Sequence, residues 1–168
     1  MRKVEVKYLS LFDDNKREER NEITKETYKL EQKLQEYLAN DNLFVIFLKG
    51  QMYIEQMISE ILKDFGKYKK KMDFHNKLKT MKKLDKLSTD IINALFEMKN
   101  VRNSLAHEFN RDISTDDINS IYAKLSSKNQ KEVKNMFKDI QGEKEELINI
   151  FIFILKVLFK VKMSSKHN

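Results

Sequence analysis

An arginine, an asparagine and a histidine fall close together in the stretch RNSLAHEFN, residues 102 to 110. The chain holds only five arginines and three histidines among 168 residues. Their types suit chemistry at an anion. An imidazole ordinarily titrates near neutrality and can take up or release a proton. A guanidinium keeps its charge at any ordinary pH, and its planar fork matches phosphoryl or carboxylate oxygens. An amide next to them can hydrogen-bond either the imidazole or the anion. Arg102, Asn103 and His107 are therefore the first candidates for a site.

The helix that carries them can start at Ser88 or Thr89, either of which can cap it, and runs to about His107. On it Ile91, Leu95 and Met98 form an apolar line that Arg102 extends by one turn, and Ile92 and Phe96 form a second line that continues to Asn103 and His107. Asn103 and His107 are four apart and share a face, where amide and imidazole can hydrogen-bond. Arg102 and His107 are five apart, about 140° around an ideal helix, so they meet only across a cleft that a second helix helps to form. Polar groups at the end of apolar lines are costly without partners, so something must meet them.

The rest of the chain reads as helix too. It has no proline and three glycines, too little turn punctuation for a strand-rich fold. The expected fold class is all-α: an antiparallel helical bundle of about five to seven helices in one domain, 1–168, with a short extended N-terminal arm. That arm covers residues 1–20, where Val4, Val6 and Tyr8 alternate with Lys3, Glu5 and Lys7, and residues 163–168 read as a flexible tail. A first helix is expected from about Glu22 to Leu38. A second, from Leu43 to Phe65, carries Phe47, Ile54, Ile58, Ile61 and Phe65 on one stripe and stops at Gly66. A shorter helix holds Phe74, Leu78 and Met81. Further starts are Ser114 with Asp117 three residues on, and Ser127 with Gln130 as a capping box. The last helix spans about Lys144 to Lys162. Its run LINIFIFILKVLF is thirteen residues, about 20 Å as helix against the about 30 Å of a bilayer core, and Lys156 interrupts it. It reads as a core helix, or one buried between two subunits, with no membrane role.

The net charge of +7 is concentrated. Residues 67 to 86, KYKKKMDFHNKLKTMKKLDK, hold nine lysines against Asp73 and Asp85, and the remainder is close to neutral. Such a segment either attracts a polyanion, nucleic acid being the commonest, or is a solvated face. Lys69, Lys70, Lys71, Lys82 and Lys83 are the candidate RNA-binding residues, suited to phosphate rather than to base readout. Without cysteine there are no disulfides and no thiolate sites. His75, among lysines, reads as surface, and His167 as part of the tail; neither has a metal-ligand partner at the usual spacing, so no metal or other cofactor is expected. The first residues lack the continuous apolar run of a signal peptide, and a cytoplasmic protein is expected.

RNSLAH resembles the R-x4-6-H signature of the HEPN superfamily, with a polar residue, Asn103, directly after Arg102 and the small Ala106 before His107. The helical order from about residue 22 to 162 is similar to that of HEPN domains. The motif's placement after a long helix carrying YIEQMISEIL and before a capped helix at Ser114 is similar to that in the mannitol-operon-repressor-like branch. The resemblance implies a homodimer in which two motifs line one cleft, and a metal-independent endoribonuclease of a toxin or anti-phage defence system. It also implies an antitoxin or operon partner protein. In that chemistry His107 serves the 2′-hydroxyl attack and the leaving oxygen, Arg102 the charge on the phosphorane, and Asn103 the orientation of either. One chain supplies one such histidine and a twofold dimer two, which separates the base from the acid. The toxin half of HEPN/minimal-nucleotidyltransferase pairs carries an adenylylated tyrosine two residues after the histidine, and here that position is Phe109. Two alternatives stand beside this reading. Arg102 and His107 can simply close a helix, with Arg102 paired to Glu97, Glu108 or Asp112, and a catalytically silent HEPN-type domain can be a dimeric binding or regulatory module.

Overall fold

The computed structural model describes residues 42–108, 110–136 and 142–165, together with Lys25, Lys29 and Gln32, which are helical and exposed. The N-terminal arm, Phe109, His167 and the rest of the expected first helix lie outside the described residues. Among the described residues from Asn42 onward, six helices follow one another: α1 (Leu43–Asp64), α2 (Phe74–Leu84), α3 (Thr89–His107), α4 (Thr115–Tyr122), α5 (Ser127–Met136) and α6 (Glu143–Ser165). No strand occurs among the described residues, and the protein is an all-α bundle.

The helix ends follow from local chemistry. Asn42 caps α1, its side-chain oxygen accepting from Phe44 N and Val45 N. At the other end Gly66 takes a left-handed φ of 64°, which lets Gly66 N reach Lys63 O and Lys67 N reach Leu62 O. These two bonds are a Schellman close, and they need a residue that pays no steric penalty at positive φ. Asp73 caps α2 through Asn76 N. Ser114 and Asp117 form a reciprocal capping box on α4.

The expected capping box of Ser127 and Gln130 does not form. The cap is one residue earlier: Ser126 O accepts from Gln130 N at 2.8 Å and Ser126 Oγ from Asn129 N at 3.4 Å. The Gln130 amide instead donates to Tyr122 O and Leu125 O, closing the turn between α4 and α5. Ser126 is selected because the Asp90 carboxylate, on α3, accepts from Ser126 N at 2.8 Å and from Asn129 Nδ2 at 2.6 Å.

The core is built on α1 and α6, the two longest helices, which pack along each other. Leu147, Ile148, Ile150 to Leu155, Leu158, Phe159 and Val161 are buried on nearly every side of α6, so the apolar run is interior. No helix among the described residues is long and apolar enough to cross a membrane. The pair runs parallel: Gly50 lies against Phe151, Glu60 bonds Lys162, and Asp64 meets Ser165 at 3.1 Å. Helix α6 continues to Ser165, three residues beyond the expected end. Helix α2 packs on α1 and, as a hairpin, on α3; α4 packs on α3, and α4 and α5 cover α6.

Candidate functional site

The last two turns of α3 divide cleanly by residue type. Val101 and Leu105 carry the core contact, at 4% and 7% exposure, after Ile91, Leu95 and Met98. Arg102, Asn103 and His107 are exposed. The apolar line therefore passes to Val101 and Leu105, three and seven residues beyond Met98, and Arg102 stands at its margin with its charged head in water. Asn103 and His107 make no side-chain hydrogen bond to one another or to any other described residue, and in solvent they need none.

Arg102 does have a partner, and it is none of those expected from the sequence. Glu97 pairs with Lys124 and Glu108 with Arg111, while Arg102 Nη1 lies 3.5 Å from Oε2 of Glu55 on α1. The other oxygen of Glu55 accepts from Lys77 Nζ of α2 at 2.6 Å. Lys77 is 7% exposed, so this contact holds a buried cation that would be costly alone. Glu55 thus ties three helices together and serves two cations at once. Sequence reading missed both Glu55 and Lys77, because Arg102 and Glu55 are 47 residues apart and no local spacing joins them.

Beside this junction a cleft of about 530 Å³ runs along α1, lined by Lys49, Met52, Tyr53, Glu55, Gln56, Ser59 and Lys77. After α3, the loop to α4 is fixed by Arg111, whose Nη2 donates to the buried Asp117 at 2.6 Å and whose Nη1 lies 3.5 Å from Glu108. Asp117 also accepts from Ser114 N and Oγ. The chain that leaves His107 is therefore anchored within a few residues of it.

The five candidate lysines lie together in sequence but on two elements. Lys69, Lys70 and Lys71 sit in the turn between α1 and α2, and Lys82 and Lys83 on the last turn of α2. All five are exposed, and none is in an ion pair among the described residues. His75, expected at the surface, is half-buried instead. Its ring and that of Phe96 on α3 pack in a T-shaped arrangement, with centroids 5.7 Å apart. No group of three His, Asp or Glu side chains among the described residues could hold a metal ion.

No family model, curated protein or solved structure matches this chain.

Proposed function

We propose that this chain is a HEPN-type endoribonuclease that cuts RNA by attack of the 2′-hydroxyl at a site shared between two copies, in a toxin or defence setting. The observation that supports it best is the state of the motif. Arg102, Asn103 and His107 leave the core together at one helix end, unburied and open to a ligand. The exposed lysines supply the electrostatic attraction that RNA binding needs. His107 moves the protons, and Arg102 holds the phosphoryl oxygens. A single histidine cannot sit on both sides of the phosphorus, so the second proton-transfer group comes from a second copy.

A distinguishing property of this chemistry is its product. Cleavage leaves a cyclic phosphate or a 3′-phosphate, and a deoxy substitution at the cut nucleotide blocks it. Ends carrying a free 3′-hydroxyl contradict the proposal. A second reading, a silent binding module, draws on the contact between Arg102 and Glu55, which is also what a purely structural arginine makes. In that case RNA, a nucleotide or a protein partner is bound and no RNA is cut.

A further inference from the structure

We propose that the cleft along α1 is a nucleotide subsite: it receives one nucleotide of a bound RNA single strand, phosphate toward Arg102 and base against Met52 and Tyr53. The inference rests on the RNA reading above and extends it to a surface that the motif itself does not include.

Charge and shape both favour this occupant. One wall of the cleft is Glu55 with Lys77, and Arg102 joins the same carboxylate from α3. Two cations against one carboxylate leave a surplus positive charge, which an anion arriving beside Arg102 can neutralise. The contact at 3.5 Å uses one nitrogen of the guanidinium fork and leaves the remaining donors for phosphate. A volume of about 530 Å³ is within the range of small-molecule sites. The floor is mixed, as a nucleobase requires, with Gln56 and Ser59 beside Met52 and Tyr53.

Met52 is the most telling residue. It is 67% exposed, and only Tyr68 shares with it the status of an exposed large apolar side chain among the described residues. A single exposed apolar side chain is unremarkable on an open surface. Met52, however, stands at a cleft that also presents a tyrosine and a charged wall. A polarisable thioether and an aromatic ring are the groups on which a base stacks without regard to its identity. The subsite therefore contributes affinity and position, and it discriminates little among bases.

The test uses the full chain and a single-stranded RNA hexanucleotide made resistant to cleavage by 2′-O-methylation, with 4-thiouridine at each position in turn. Ultraviolet cross-linking followed by trypsin digestion should place the adduct on the peptide 50–63, at Met52 or Tyr53. Met52→Glu, which sets a carboxylate at the cleft, should weaken binding about tenfold, and Met52→Leu, which keeps the apolar bulk and loses only the thioether, should weaken it less. Lys128→Gln on α5, which does not line the cleft, makes the same change in net charge and should alter affinity by less than about twofold. Binding with adducts confined to residues 67–86, or a Met52→Glu effect no larger than that of Lys128→Gln, overturns the subsite and leaves RNA binding standing. No binding of the hexanucleotide by the wild-type chain overturns both.

Discussion

Gly50 and Gln51 are neighbours on α1 with opposite relations to the core. A Cβ on Gly50 would lie 2.5 Å from the Phe151 ring, so the glycine is what lets α1 and α6 approach there. Alanine usually stabilises a helix over glycine by about 1 kcal/mol, but an added methyl in a filled space costs about 1–3 kcal/mol. Gly50→Ala should therefore lower Tm, and an unchanged or raised Tm would show that the ring moves aside freely. Gln51 is 1% exposed, and its amide nitrogen and oxygen have no hydrogen-bond partner among the described residues. An unsatisfied buried amide costs about 1–3 kcal/mol, so Gln51→Leu should raise the denaturation midpoint. A fall would mean that the amide has a bound water or other partner. Arg102 illustrates the limit of reading single residues from sequence. Its type and its position after Met98 were legible, but its partner is set by a tertiary contact with a helix that ends 25 residues before α3 begins.

At the scale of elements, most helix bounds were legible because they are local. The stripe from Phe47 to Ile61 and the stop at Gly66 mark α1, and Ser114 with Asp117 marks the start of α4. The cap of α5 was not, since it is chosen by a carboxylate 36 residues upstream. That carboxylate makes α3 and α5 a pH-sensitive joint. Burial works against ionising Asp90, but hydrogen bonds from Ser88, the Ser126 backbone and side chain, and Asn129 outweigh it and hold the group far below the usual carboxylate range. A group lowered in the folded state stabilises the fold fully above its unfolded pKa, and the contribution drains away as pH falls below that value. Asp90→Asn should consequently cost stability at pH 7 and less at pH 3. Chemical denaturation of both proteins across that interval measures the difference. A gap that is constant with pH would deny Asp90 this role.

For the whole molecule, the all-α class was legible from the absence of proline and the scarcity of glycine. The run in α6 was legible as core because it is too short for a bilayer. The parallel course of α1 and α6 was not, because antiparallel neighbours are what short loops suggest and 78 residues separate these two helices. Charge is also a property of the whole. Of the nine lysines between 67 and 86, Lys77 belongs to the interior, and the five candidates face solvent with no ion pair among the described residues. If they hold RNA backbone, affinity falls steeply with salt, and replacing Lys69, Lys70, Lys71, Lys82 and Lys83 by Gln should flatten that slope without moving the cleavage sites. Equal slopes would return the segment to a solvated face. If the base and the acid come from two copies, light scattering at micromolar concentration should give the mass of a dimer, with Arg102→Lys and His107→Ala dimerising equally. A monomer that nonetheless cleaves would remove the shared site.

The central claim is that His107 and Arg102 cut RNA without a metal ion. The measurement is the cleavage rate of total RNA in EDTA by the wild-type chain, His107→Ala and Arg102→Lys. His107 is exposed at a helix end, so its removal leaves the fold intact. Loss of proton transfer should slow cleavage by about 10²–10⁴-fold. Arg102→Lys keeps the charge but loses the fork and should fail as well. Wild-type cleavage in EDTA that both substitutions abolish is the expected result. RNA left intact by the wild-type chain, or cut equally well by His107→Ala, contradicts the nuclease and leaves the binding module in its place.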